Sequence, residues 1–349
     1  MMLLKPVFGW HPELLSPPLK GIYMRFLFHC VRMLGTVSLI VACSTGHAQT
    51  WPERPVRLVV PFPAGGATDL VARVIAQRVS KDIGQQVIVD NKAGAGGTIG
   101  SAEAAKTTAD GYTLLLTTSS THAISPHLMS RLPYDPIRDF TPISHLADAA
   151  SVLLVTPSLP VSTMAELIAY AQKHPGQLNY ASSGNGTIVH LTTEAFKAQA
   201  GVFITHVPYK GTSLAIPDVI AGNVQVLIDA IPSGMPHVKN GRLRALAVTG
   251  EKRSALAPEL PTVAEAGLPG FSSVTWFGLY APRGMKPELV SRVHDAFEKA
   301  AHTPEVIESL AKLGVEPSPI GSPGKFAAMV SADSQRWARI IRDRKITIE

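Results

Sequence analysis

The segment WPERPVRLVVPFPAGGATD, residues 51–69, decides the fold of this chain. Residues 56–62 are apolar and β-branched, as in a buried strand, and the glycines that follow form a turn in which a ligand can approach the backbone. Thr68 and Asp69 are suited to capping the next helix. Because a helix start offers unpaired N–H groups and the positive end of a dipole, this segment predicts a site for a small anion that needs neither Arg nor Lys.

The residues before this segment have the pattern of a secretory leader. A basic stretch begins at Met24, residues 33–42 are apolar, and the sequence GHA that ends at Ala48 offers a small-residue cleavage site. The apolar run is too short to cross a bilayer. We therefore predict a leader at residues 1–48, with translation starting at Met24, and a mature chain outside the cytoplasm.

Both cysteines, Cys30 and Cys43, lie in this leader. Cleavage after Ala48 leaves a chain without thiols and therefore without disulfides. One alternative stays open, because residues 40–43 approximate the box that precedes a lipid-modified cysteine, and that box predicts lipid anchoring at Cys43. Either product is extracytoplasmic.

The composition after cleavage favours a globular protein over a nucleic-acid-binding one. The leader carries four basic residues and one acidic residue, so its removal lowers the formal charge from +6 to +3. The chain is 46% apolar and 17% charged, and its length suffices for two lobes with their own cores. The dense basic group at residues 336–345 alternates with apolar residues, which favours the solvated face of a docked helix over a nucleic-acid patch.

Short apolar strands alternate with helices along the mature chain, which predicts an α/β fold with largely parallel strands. A first series occupies residues 56–117, and a second begins near Val152. A strand at 274–280 and helices at 288–301 and 304–313 follow the second series. If these elements return to the first series, the chain crosses twice between two lobes that enclose a cleft. We predict one lobe from residues 49–149 and 275–349, and a second from residues 150–274.

A second loop, YASSGNGTIVHL at residues 180–191, repeats the order of strand, hydroxyls, glycines and helix start. Its amides and hydroxyls predict a second grip on an anion. The alternative is an ordinary turn in which Thr187 is an N-cap. One such loop in each predicted lobe favours binding, since two helix starts can then converge across the cleft.

Enzyme and metal sites have weak signals. The sequence GAGGTIG at residues 94–100 lacks the G-x-G-x-x-G spacing of nucleotide-binding loops. Ser183 and His190 could pair as nucleophile and base, but no G-x-S-x-G elbow accompanies them. The histidines lack the spacing of metal ligands. We therefore predict no enzyme activity, no cofactor and no metal, and keep an exported hydrolase as a remote alternative.

A set of short segments, taken together and in order, resembles one known family across residues 51–349: Bug-type solute receptors, the extracytoplasmic binding proteins of tripartite tricarboxylate transporters. The matching segments are WPERP (51–55), PFPAGGATD (61–69), NKAGAGG (91–97), LPYDP (132–136), YASSG (180–184), HVPYKG (206–211), PTVAEAG (261–267) and WFGL (276–279).

The resemblance implies a two-lobed periplasmic-binding-protein fold of the Venus-flytrap kind, type II-like, with the ligand cleft between the lobes. It also implies that a monomer in the periplasm closes on a small carboxylate-bearing solute and delivers it to a membrane permease. Presentation of the ligand to a sensor kinase is an alternative output that the sequence does not distinguish.

The resemblance places the ligand on two loops, which contain Phe62, Ala64, Gly65, Gly66, Thr68 and Asp69, and Ser182, Ser183, Gly184, Asn185, Gly186 and Thr187. Positions after other strands add Thr118, Ser119, His122, Tyr209 and Asp229. For Asp229 two readings stay open, the cap of a local turn or an acceptor for a ligand ammonium or hydroxyl group. His122 can equally be a loop histidine, and Tyr209 can cover the core.

Overall fold

The computed structural model describes residues 51–319 and 321–347. The predicted leader, its start at Met24, its cleavage site after Ala48 and the two cysteines lie outside these residues.

The opening segment forms the centre of a parallel sheet. Strand β1 (Val56–Val60) pairs with β2 (Val87–Asn91) on one side and with β3 (Thr113–Thr118) on the other. Helices α1 (Ala67–Ile83) and α2 (Thr98–Ala105) make the connections. Four of the five residues of β1 are fully buried, as expected for a strand covered on both faces by helices.

The second part of the sheet repeats this arrangement. Strand β5 (Asn179–Ser182) pairs in parallel with β6 (Thr205–Pro208) and with β7 (Val226–Ala230). The connecting helices are α5 (Ile188–Ala200) and α6 (Thr212–Ala221). The order β6-β5-β7 therefore matches β2-β1-β3, and the carboxyl ends of β1 and β5 are equivalent positions.

Two antiparallel strands join the halves. Strand β4 (Phe140–Val155) pairs with β9 (Val274–Pro282) along its first part, from Phe140 to Ala150. Strand β9 in turn pairs with β3. From Ser151 onward β4 pairs with β7 and with β8 (Arg244–Val248). The chain thus leaves the first half within β4 and returns to it at the start of β9.

The remaining elements surround these two halves. They are the 3₁₀ turn Ala95–Gly97, the π-helical turn Ser120–Ile124, α3 (Ser125–Leu128), α4 (Met164–Lys173), α7 (Ile231–Lys239), α8 (Pro287–Ala301), α9 (Pro304–Leu313), β10 (Glu316–Pro317) and α10 (Pro323–Asp343).

Each half has its own apolar core. The first is built around Leu58, Ile75 and Phe297, and the second around Tyr180 and Phe196, all of them fully buried. Burying an aliphatic or aromatic side chain of this size stabilises a fold by roughly 1.5–3 kcal/mol. In α10 the apolar residues Phe326, Trp337 and Ile341 are buried, whereas Arg339 and Arg342 are exposed, as in the docked amphipathic helix that the sequence indicates.

Sequence patterns missed three features of this fold. Strand β4 begins at Phe140 and not near Val152, because its first part contains a proline and alanines in place of a β-branched run. Helices α6 and α7 contain internal prolines, Pro217 and Pro236, which ordinarily argue against a helix. Helix α1 begins at Ala67, so Thr68 and Asp69, which were predicted to cap it, lie inside its first turn.

Candidate functional site

The carboxyl ends of β1, β3, β5 and β7 converge on one cavity of about 50 Å³ between the two halves. Six of the residues predicted for the ligand site line it: Phe62, Gly66, Thr68, Thr118, Ser183 and Asp229. The residues that sequence reasoning missed are Pro63, Ala67, Ser120, Ile188, Val189, Gly211, Thr212, Ala230, Thr275 and Phe277.

The two halves touch each other around this cavity. The backbone N–H of Ile188 donates across the cleft to the hydroxyl of Ser120 at 3.0 Å. A Cβ placed on Gly96 would lie 2.8 Å from the carbonyl oxygen of Asn185, so these two backbones are in direct contact. Both halves therefore contribute to the wall of the cavity and touch each other beside it.

The first loop presents the bare start of α1 to the cavity. Gly66 is the N-cap residue in an extended conformation, with φ −78° and ψ 164°, and offers no capping side chain. Among the described residues no acceptor lies within hydrogen-bond distance of the amides of Ala67 and Thr68. Free N–H groups and the positive end of a helix dipole both favour an anion, so the anion site at this helix start stays a prediction that the geometry permits.

Asp69 has a different role from the predicted cap. It lies inside the first turn of α1, where its Oδ2 accepts the backbone N–H of Gly65 at 2.9 Å and its Oδ1 lies 2.9 Å from Nη2 of Arg73. Although burial alone raises the pKa of Asp69, hydrogen bonds from Arg73, Gly65 and Asn91 together lower it. Asp69 therefore stabilises the loop as an ionised group through its hydrogen bond with Gly65. Ala64, Gly65 and Asp69 do not line the cavity.

The second loop has far fewer free amides than predicted. The N–H of Gly184 donates to Ser182 Oγ at 3.1 Å, and that of Gly186 donates to His190 Nδ1 at 3.3 Å. Thr187 caps α5 by accepting the N–H of His190. The loop thus satisfies much of its own backbone. Of its predicted ligand residues only Ser183 lines the cavity, whereas Ser182, Gly184, Asn185, Gly186 and Thr187 lie outside it.

A third helix start, which the sequence analysis did not identify, also faces the cavity. Helix α6 begins after Gly211, an N-cap residue without a capping side chain, and both Gly211 and Thr212 line the cavity. Val189, in the first turn of α5, does so as well. Within residues 51–319 and 321–347, the amides of Val189 and Thr212 have no acceptor at hydrogen-bond distance. The available signal was the Gly-Thr-Ser sequence after β6, which Pro217 obscured.

The electrostatic character of the cavity comes from these dipoles and one carboxyl group. Among the described residues that line it, none is Lys, Arg or His, and Asp229 alone is ionisable. Asp229 is 2% exposed, and its Oδ2 accepts a hydrogen bond of 2.6 Å from Ser233 Oγ. Burial raises the pKa of Asp229 to about 6, against the opposing effect of hydrogen bonds from Ser233, Ala230 and Thr212.

The other predicted residues lie behind or beside the cavity. The ring of His122 stacks on Tyr280 with 4.0 Å between centroids, and burial lowers the pKa of His122 to about 3. Ser119 is fully buried. The phenol of Tyr209 donates to Asp218 at 2.6 Å. His122, Ser119 and Tyr209 therefore lie outside the cavity lining.

Two stacked histidines support the second loop. The rings of His190 and His206 lie 4.3 Å apart and nearly parallel, and His206 Nε2 lies 2.6 Å from Ser182 Oγ. Burial lowers the pKa of each to about 4, from an ordinary 6.5. The nearby Glu194 and Lys197 act on these imidazoles in opposite directions. Both rings are therefore neutral at pH 7.

This pair predicts a loss of stability in mild acid. The unfolded chain takes up protons on these histidines below about pH 6.5, whereas the folded chain does so only near pH 4. Their contribution to stability is thus complete above pH 6.5 and falls as the pH falls, by about 1–2 kcal/mol for each ring between pH 7.5 and 5. Urea unfolding at the two pH values measures the fall. A His206→Gln variant should show a smaller one, and an identical fall in both proteins would contradict the assignment.

The geometry also bears on the alternative functions. Ser183 Oγ donates to Thr187 Oγ1 at 2.9 Å, while His190 Nδ1 accepts a backbone N–H, so the nucleophile and base of a hydrolase are not paired. In the described part of the chain no cluster of three or more His, Cys, Asp or Glu side chains could hold a metal ion. None of the helices there is both long and apolar enough to cross a membrane.

Comparison with known proteins identifies the family. A family model described as "Tripartite tricarboxylate transporter family receptor" matches residues 71–346. The chain belongs to this family. Protein BugT of Bordetella pertussis (strain Tohama I) is 37% identical over 317 residues, which cover 89% of this chain and 97% of BugT. The resemblance to Bug-type receptors that the sequence motifs indicate is thereby confirmed.

Similar solved structures, among them one titled "Structure of periplasmic binding protein BugD", establish the fold class. The structure titled "R. palustris Rpa4515 with adipate" has a TM-score of 0.83 and 40% identity, and covers 85% of this receptor and 99% of that chain. MatC from Rhodopseudomonas palustris with bound malate has a TM-score of 0.80 and 32% identity, and covers 83% and 100%. The predicted two-lobed periplasmic-binding-protein fold is confirmed, and the enclosed cavity is the cleft between its lobes.

Proposed function

We propose that this receptor captures a small carboxylate-bearing solute in the periplasm and delivers it to a tripartite tricarboxylate transporter permease. The single observation that carries the proposal is the convergence of three helix starts on one cavity whose described lining contains no cationic side chain. Free amides at the positive ends of helix dipoles are suited to a carboxylate. The ligands named for two similar structures, adipate and malate, both carry carboxylates.

We further propose that the first lobe comprises residues 49–149 and 275–349 and the second lobe residues 150–274. Support comes from β4, whose sheet partners change between Ala150 and Ser151, and from β9, which starts at Val274. The backbone N–H of Ser151 donates to Thr249 Oγ1, and the hydroxyl of Thr249 donates to the carbonyl of Ser273. The two places where the chain passes from one lobe to the other, near Ser151 and near Ser273, therefore lie side by side. Adjacent crossings allow a hinge, and a solute that contacts both lobes shifts the population toward closure.

The test is a thermal-shift screen of the purified protein against mono-, di- and tricarboxylates, amino acids and aromatic acids. A ligand that binds only the folded protein raises the melting temperature by mass action. We expect a rise with one class of carboxylate and none with matched amines or sugars. If no member produces a shift and mass spectrometry of the denatured protein releases no small carboxylate, the proposed function is wrong.

Delivery to the permease is tested separately by uptake. A strain in which the gene for this receptor is deleted should fail to accumulate the labelled solute, and uptake should return when that gene is restored. Unimpaired uptake in the deletion strain, together with binding by the purified protein, would favour the sensory alternative.

A further inference from the structure

Asp229 is a buried carboxyl group for which the amide-lined cavity gives no electrostatic explanation. It is the fourth residue of β7, is 2% exposed and lines the cavity. An anion site built from helix starts gains nothing from a second negative charge in its wall, because like charges repel strongly where water is excluded. Asp229 therefore calls for a separate role.

Within the part of the chain that the structure describes, no charged side chain neutralises this group. Among the described residues none of the ion pairs involves Asp229, and its hydrogen bonds come from neutral groups. Ser233 supplies a hydroxyl from α7 at 2.6 Å, and Thr212 lies at the start of α6. Ala230 adds a backbone N–H, so the carboxyl group of Asp229 has neutral donors but no cation beside it. A hydrogen-bond donor from the solute would therefore stabilise the ionised carboxylate further, and a charged donor most of all.

The cavity thus has two chemically distinct kinds of wall. One consists of the N–H groups of Ala67, Thr68 and Val189, which have no acceptor among the described residues and can donate to a negative or hydrogen-bond-accepting group. The other is the carboxyl group of Asp229, which prefers a hydrogen-bond donor. A solute that satisfies both must carry an acceptor and a donor on the same small molecule.

We propose that Asp229 makes the site selective for a monocarboxylate that carries a hydroxyl or ammonium group, in preference to a plain dicarboxylate. This inference rests on the proposed carboxylate-binding function and specifies its substrate class. The solute carboxylate takes the helix amides, and its hydroxyl or ammonium hydrogen is donated to Asp229. A plain dicarboxylate would instead bring a second anion against the Asp229 carboxylate.

The experiment uses probes that differ only in the group opposite the carboxylate. One series is succinate, 3-hydroxypropionate and 3-aminopropionate, a second is glutarate, 4-hydroxybutyrate and 4-aminobutyrate, and an aromatic series is terephthalate, 4-hydroxybenzoate and 4-aminomethylbenzoate. Titration calorimetry at pH 8, where Asp229 is ionised, gives the dissociation constants. We expect the donor-bearing probe of at least one series to bind at least fivefold more tightly than its dicarboxylate.

The Asp229→Asn variant then tests whether the carboxylate of Asp229 causes the preference for the donor-bearing probe. Asparagine keeps the shape and can still accept from Ser233, so folding should be retained, which the melting temperature checks. We expect the donor-bearing probe to lose at least fivefold in affinity and the dicarboxylate to gain. As a matched control, Asp218→Asn removes a carboxylate of the same lobe that lies outside the cavity and should leave both constants unchanged.

Each other outcome rejects the inference in an identifiable way. Tighter binding of dicarboxylates, binding confined to carboxylates without a donor, or an unchanged preference in Asp229→Asn would overturn the role of Asp229 and leave the carboxylate receptor standing. Failure of every carboxylate, with none released from the denatured protein, would overturn the proposed function as well.

Discussion

A Gly66→Val variant is expected to fold and to lose measurable solute binding. Gly66 has φ −78° and ψ 164°, values that any residue adopts, and a Cβ there would meet only the carbonyl oxygen of Pro63, at 3.4 Å. The added isopropyl group therefore extends into the cavity that Gly66 lines, which has a volume of about 50 Å³. It also screens the amides of Ala67 and Thr68. We expect affinity to fall by at least about 1,000-fold, equivalent to roughly 4 kcal/mol.

Titration calorimetry with whichever solute the wild-type protein binds measures this loss. Replacing a glycine N-cap by valine costs the fold about 1 kcal/mol, so the melting temperature should fall only slightly. Gly324→Val is the matched control, since Gly324 also lies at a helix start, a Cβ on it would meet only Ser322 Oγ, at 3.9 Å, and it does not line the cavity. Wild-type affinity in a folded Gly66→Val protein would remove the first loop from the site.

Much of the first loop could be predicted from sequence because its structure is local. The apolar run of β1, the glycines and the start of α1 are consecutive, so ordinary strand, turn and helix rules apply. Thr118 and Asp229 were likewise found from their positions at strand ends, where the carboxyl ends of parallel strands meet. What failed locally was the cap, because Asp69 accepts the amide of Gly65 in front of the helix and does not cap it from outside.

The second loop shows what sequence alone does not provide. Its glycines and hydroxyls suggested free amides, but one of those amides is satisfied by His190 and another, at Ile188, by Ser120 from the opposite lobe. These partners lie four and 68 residues away from the groups they bind. Only the packed structure decides which amides stay free. In it, the start of α6 lines the cavity, whereas most of the predicted residues of the second loop do not.

The glycine-rich turn that follows β2 has a separate role, and Gly96→Ala is expected to weaken binding by hindering closure. Gly96 contacts the opposite lobe, not the cavity, and an added Cβ would lie 2.8 Å from Asn185 O and 3.4 Å from Thr187 Cγ2. Those neighbours are a backbone oxygen and a packed side chain, so they yield little. A closed state that is disfavoured by about 1.8 kcal/mol lowers the apparent affinity about twentyfold, although no ligand contact changes.

Gly201→Ala separates this effect from backbone strain. Gly201 has the same φ of +63° as Gly96, but a Cβ on it would meet nothing within 4 Å. Both alanines should lower the melting temperature by a similar amount, since each adopts a left-handed conformation. Only Gly96→Ala should lose affinity, and its small-angle scattering should show less compaction on adding solute than the wild type. Equal affinity losses in the two variants would mean that strain, and not the contact between lobes, explains the effect.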